Sequence, residues 1–146
     1  MKSVKILLVD DDNLCLLIAK KLLRVHFPED FKYESEPFDD PVKGFDQAIN
    51  YLQTIKEAGK NELIIVLLDI NMPVLDGWNF LTLLAEKDPD NEIKVFMHSS
   101  SLNESDKQRA LEFTRVLHYF NKPMTPEKIH LLHSKIVEIA GSTSIE

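Results

Sequence analysis

Short apolar runs alternate five times along the chain with stretches whose apolar residues recur at three- and four-residue spacing. Runs of that length bounded by turn formers predict buried strands, and the longer recurrence predicts amphipathic helices. The first strand covers residues 5–10, and the helix after it repeats Leu14, Leu17, Ile18, Leu22 and Val25 before Pro28 closes it. A second strand lies within residues 31–38, where Glu34, Ser35, Glu36 and Pro37 dilute the pattern and suit an edge position. Its helix opens at Pro41, repeats Val42, Phe45, Ile49 and Leu52, and ends near Gly59. Residues 63–69 are apolar on both strand faces, the mark of a central strand covered above and below.

A third helix follows Gly77 with Phe80, Leu81, Leu84 and Ala85 at helical spacing and stops at Asp88-Pro89. The fourth strand is predicted over residues 93–99. Asn103 with Asp106 forms a capping-box pattern for a helix reaching about Phe113. Residues 116–120 make the fifth strand. Thr125-Pro126 opens a last helix that turns Ile129, Leu132, Ile136 and Ala140 inward. Strands alternating with helices give an α/β domain with a doubly wound parallel sheet, covering residues 1–140, with 141–146 as a short tail and no output domain after it.

Sheets of this kind bind ligands outside the carboxyl ends of their strands. Polar residues stand at those ends here. The first strand stops at Asp10-Asp11-Asp12, the third at Asp69, just before Asn71-Met72-Pro73 and Asp76-Gly77, and the fifth at Asn121-Lys122-Pro123. Composition removes other classes. A formal net charge of -7 opposes binding to a phosphate backbone. The single cysteine, Cys15, excludes an internal disulfide, and no apolar stretch is long enough to insert in a membrane, so a cytoplasmic location is expected. The four glycines fit no nucleotide-binding loop.

Taken together, Val9-Asp10-Asp11-Asp12, Asp69-Ile70-Asn71-Met72-Pro73 with Asp76-Gly77, Ser99, and Tyr119 with Lys122-Pro123 resemble the receiver domain of two-component response regulators in order and spacing. The resemblance implies the flavodoxin-like fold, with strand order 2-1-3-4-5 and five helices. It implies a stand-alone receiver of the chemotaxis type, a signalling protein rather than an enzyme. Asp69 is then the phosphoacceptor, served by a histidine kinase or a histidine phosphotransfer protein. Asp11 and Asp69 by carboxylate, Asp10 through water and the Asn71 backbone carbonyl would hold Mg2+, whose preference for oxygen ligands suits that set. Lys122 and Ser99 would contact the phosphoryl oxygens. Ser99 and Tyr119 would then form a switch that alters the surface of the fourth helix, fifth strand and fifth helix for an unidentified downstream protein.

Other readings are weaker. A phosphorylation-independent pseudo-receiver would be expected to lose the acceptor, a metal acid or the lysine, and all are retained. An Mg2+-dependent aspartyl phosphatase would need a second acid where Asn71 stands. An EF-hand loop starting at Asp69 fails at Val74 and Phe80. His98 and Ser99 would point to opposite strand faces, which excludes a nucleophile–base pair. His130 and His133 lack a third metal ligand in the sequence. Asp11 or Asp12 taken alone reads as a helix cap, and Asp76-Gly77 as a turn or helix start. Residues 113–118 lack the small residues often found in this family, and residues 27–60 are longer than a minimal receiver needs.

Overall fold

The computed structural model describes residues 3–144. Its elements run β1 (Ser3–Val9), α1 (Asn13–His26), β2 (Lys32–Phe38), α2 (Pro41–Ala58), β3 (Glu62–Leu68), α3 (Gly77–Lys87), β4 (Ile93–Ser99), α4 (Glu104–Leu111), β5 (Val116–Asn121) and α5 (Pro126–Ser144). All strand pairs are parallel, in the order β2-β1-β3-β4-β5. The diluted β2 is at the edge, as its sequence predicts.

Alternation along the strands divides the core into two layers. Leu7, Val9, Ile64, Val66, Leu68, Val95 and Met97 pack against α2, α3 and α4 through Phe45, Leu52, Phe80, Leu84 and Ala110. Val4, Ile6, Leu8, Leu63, Ile65, Leu67, Phe96 and Phe120 pack on the other face against α1 and α5, through Leu16, Leu23, Ile129, Leu132 and Ile136. The α5 stripe is the one its spacing predicts.

The α1 stripe is not. Leu16, Ala19 and Leu23 face the sheet, whereas Leu14 and Leu17 are each 64% exposed, Val25 is 62% exposed, and Ile18 is also on the surface. Leu22 is half-buried against the core. Apolar residues occupy so much of this helix that two stripes satisfy helical spacing, and docking on β1, β2 and α5 selects the one containing small Ala19. On α3, Ala85 likewise faces solvent.

Two further expectations are corrected. The Asn103–Asp106 capping box does not form: Asn103 Oδ1 accepts from the Ser105 N–H at 2.9 Å, while the Asp106 carboxylate accepts from Ser101 Oγ at 2.8 Å. The length of residues 27–60 is taken up mainly by the 18-residue α2, closed by Gly59 at φ 64°. Of the expected tail, residues 141–144 continue α5, and 145–146 lie outside the described residues.

A buried ion pair fastens the sheet end opposite the acids. Arg115 donates to Asp88 Oδ2 at 2.7 Å and to the carbonyls of Asp88, Ile93 and Leu84. Asp88 also accepts from the N–H groups of Glu92 and Ile93. The guanidinium thus joins the end of α3 to the starts of β4 and β5.

Candidate functional site: an acidic pocket with a lysine

The parallel ladder continues just past the strands and sets the heights of three side chains. The Asp10 N–H donates to Phe38 O at 3.1 Å, the Asp69 N–H to Val9 O at 3.0 Å, and the Lys122 N–H to Ser99 O at 2.9 Å. Since Val9 pairs with Leu68 in register, Asp10 and Asp69 emerge side by side. Lys122 reaches across from β5, placing Nζ 2.7 Å from Asp10 Oδ2 and 3.3 Å from Asp69 Oδ2.

Backbone donors orient both acids. Asp10 Oδ1 accepts from the Asp12 N–H at 2.9 Å, and Asp69 Oδ1 from the Ile70 N–H at 2.8 Å. Asp12 is the N-cap of α1, accepting from the N–H groups of Leu14 and Cys15, which leaves exposed Asp11 without that duty. Carboxylate oxygens of Asp10, Asp11 and Asp69 lie within 4.8 Å of one another. Such a compact set of hard oxygen donors fits Mg2+ chemistry. Asn71, whose carbonyl is expected to join them, is exposed on the loop above β3.

Burial raises the Asp69 carboxyl to about 6, helped by the Asp10 charge and opposed by Lys122 and the Ile70 N–H. Burial alone would favour neutral Lys122, but the Asp10 contact and the nearby carboxylates hold it protonated, above the ordinary lysine range. The pocket therefore contains crowded negative charge that one ammonium offsets only in part.

The loop after Asp69 has little freedom. A side-chain carbon at Gly77 would lie 2.6 Å from Asp69 O and 2.9 Å from Ile70 Cα, so only glycine allows this approach. Asp76 caps α3 by accepting from the Asn79 N–H, and the Gly77 N–H donates to Ile70 O at 2.7 Å. Between them, exposed Val74 has φ 72° at the centre of a three-residue turn closed by Leu75 N–H to Pro73 O. That backbone is strained for a β-branched residue.

Ser99 is fully buried at the end of β4, and its Oγ accepts from the Ser101 N–H at 3.2 Å. Tyr119 is 5% exposed, with its hydroxyl donating to Ser101 O at 3.1 Å. Asn121 Nδ2 donates to that same carbonyl at 3.0 Å. The motif pattern alone assigns Asn121 no part, and its polar side chain at the end of an apolar strand is the signal that marks it. His98, next to Ser99, belongs to the opposite strand face, and its buried Nε2 has no hydrogen-bond partner among the described residues. Burial, with the charges of Lys122 and Lys128, depresses it to about 3 and leaves it neutral. His133 pairs with Asp30 at 2.7 Å, while His130 faces His26 edge-on.

Residues 6–133 match the response regulator receiver domain. The chain belongs to that family. Among curated proteins, this receiver is 27% identical over 144 residues to the transcriptional regulatory protein PrrA of Mycobacterium bovis, covering 97% of this chain and 53% of PrrA. It thus spans about half the length of the curated relatives it matches. A two-component response regulator from Cytophaga hutchinsonii superposes with a TM-score of 0.69 at 27% identity, over 94% of this chain and 99% of the other. The CheX-CheY-BeF3-Mg2+ complex from Borrelia burgdorferi contains a similar fold, with a TM-score of 0.70 at 21% identity over 93% and 88%. No helix among the receiver's described residues is long and apolar enough to cross a membrane.

Proposed function

We propose that Asp69 accepts a phosphoryl group from a histidine kinase or a histidine phosphotransfer protein, and that α4, β5 and α5 present the result to a downstream protein. The observation carrying this reading is Lys122 Nζ in ion-pair contact with both Asp10 and Asp69 at adjoining strand ends. An Asp69 oxygen attacks phosphorus as the P–N bond of the donor phosphohistidine breaks. The imidazole nitrogen leaves with the electron pair.

The chain's own groups align and neutralise that transfer. Lys122 is 3.3 Å from Asp69 Oδ2, close enough to contact a phosphoryl oxygen attached there. Ser99 Oγ accepts one hydrogen bond from the loop backbone and retains its own proton for donation to another phosphoryl oxygen. Asp10, Asp11, Asp69 and the Asn71 carbonyl would hold Mg2+. When bound, the ion supplies positive charge against the phosphoryl oxygens.

Intact-protein mass after incubation with an acyl phosphate or phosphoramidate tests the assignment, with and without Mg2+ and beside Asp69→Asn. The expected result is one Mg2+-dependent phosphoryl adduct, labile to hydroxylamine and absent from the variant. An equal adduct on Asp69→Asn would overturn the site. No adduct from any donor on folded protein would instead support a phosphorylation-independent interaction module.

A further inference from the structure

Ser101, two residues beyond β4, uses all its polar groups to connect the pocket with α4 and β5. Its N–H meets Ser99 Oγ, and its hydroxyl donates to Asp106 of α4 at 2.8 Å while accepting from the Asn103 N–H at 3.3 Å. Its carbonyl receives both the Tyr119 hydroxyl and Asn121 Nδ2. A carbonyl oxygen has two lone pairs, and both are engaged here. Two further contacts brace α4: Arg109 stacks over the Trp78 ring of α3 at 4.2 Å, and Lys107 lies 5.9 Å from the Tyr119 ring centre.

We propose that Asn121 and the Ser101–Asp106 hydrogen bond are positioning elements that hold Tyr119 inward before any phosphoryl group is present. The inference rests on the receiver reading above and adds a basal setting of its switch. Asn121 acts through the carbonyl: it fixes the direction of Ser101 O, which the tyrosine hydroxyl then meets. Asp106 fixes the same residue from the side of α4. Ring position and helix position are therefore coupled through one loop residue. Phosphorylation would rearrange Ser99 and the loop, with a smaller part left for rotation of the ring. A partner that requires buried Tyr119 would find much of its surface already formed.

The test uses the full chain carrying 3-fluorotyrosine, whose Tyr119 signal is assigned by its loss in Tyr119→Phe and distinguished from Tyr33 and Tyr51. A soluble paramagnetic agent then reports ring exposure by fluorine NMR. Without ligand, wild-type Tyr119 is expected to be protected and to change little on adding beryllofluoride with Mg2+. Removing one hydrogen bond should lower the inward-to-outward ratio roughly fivefold, so Asn121→Val, Asp106→Ala and Ser101→Ala should each expose the ring. Ser101→Thr, which keeps the hydroxyl, should restore protection.

Circular dichroism verifies that each variant is folded, and the loop variants provide independent evidence if Asn121→Val is not. Exposure of Tyr119 in the ligand-free wild type would overturn the proposal, as would unchanged protection in the folded variants. Failure of the receiver reading is distinguishable, because it appears as absence of the Asp69 adduct while Tyr119 protection is measured without ligand.

Discussion

At neutral pH the Asp69 carboxylate is set among apolar strands and beside the charge of Asp10, and these surroundings raise its carboxyl from 3.8 to about 6. Between those values the folded protein binds more protons at this position than the unfolded chain does. Stability contributed here therefore falls as pH rises through that window, and the full penalty remains above it. In EDTA, Asp69→Asn should raise the melting temperature at pH 7 by about 3–8 °C, and the gain should shrink as pH falls toward 4. A lower melting temperature for the variant at pH 7 would contradict this account. The sequence located Asp10, Asp69 and Lys122 because apolar runs define where strands end. It did not contain the bond from Asn121 to Ser101, which depends on a loop conformation and a rotamer set by tertiary packing.

Individual elements differ in how well their patterns specify them. The α5 stripe was legible because Ile129, Leu132, Ile136 and Ala140 recur at three- and four-residue spacing, although Leu131 and Val137 adjoin them on the surface, whereas α1 offered two apolar stripes and no local rule for choosing between them. Asp88 was legible as the end of α3, but its partner Arg115 lies 27 residues later. Both are buried and fully engaged, so truncating one leaves the other as an uncompensated charge. Arg115→Ala should cost about 3–5 kcal/mol in urea unfolding. The double variant Arg115→Met with Asp88→Leu should recover much of that loss. A loss in the double variant equal to the sum of the losses from Arg115→Met and Asp88→Leu alone would mean that the pair is not coupled.

Across the whole molecule, the two ends of one parallel sheet have opposite electrostatic designs. At the Arg115 end, a buried cation is matched by a carboxylate and carbonyls. At the other, several acids share one lysine, leaving a concentration of negative charge available to a cation. Strand order joins these acids because β1 and β3 are neighbours, although their sequence positions are far apart. That adjacency follows from the winding of the chain and is invisible in any short motif.

The outward apolar stripe of α1 also affects colloidal behaviour. Leu14, Leu17 and Val25 would favour attraction between molecules, while the net charge of -7 favours repulsion. Screening shortens the reach of that repulsion from about 10 Å at 0.1 M salt to about 3 Å at 1 M. The osmotic second virial coefficient from light scattering should consequently change from positive to negative with added salt, and Leu17→Glu should delay the change. A coefficient that stays positive in both proteins would show that the stripe is too small to drive association. Where the sign does change, the acidic surface acts as a dispersant for an otherwise adhesive helix.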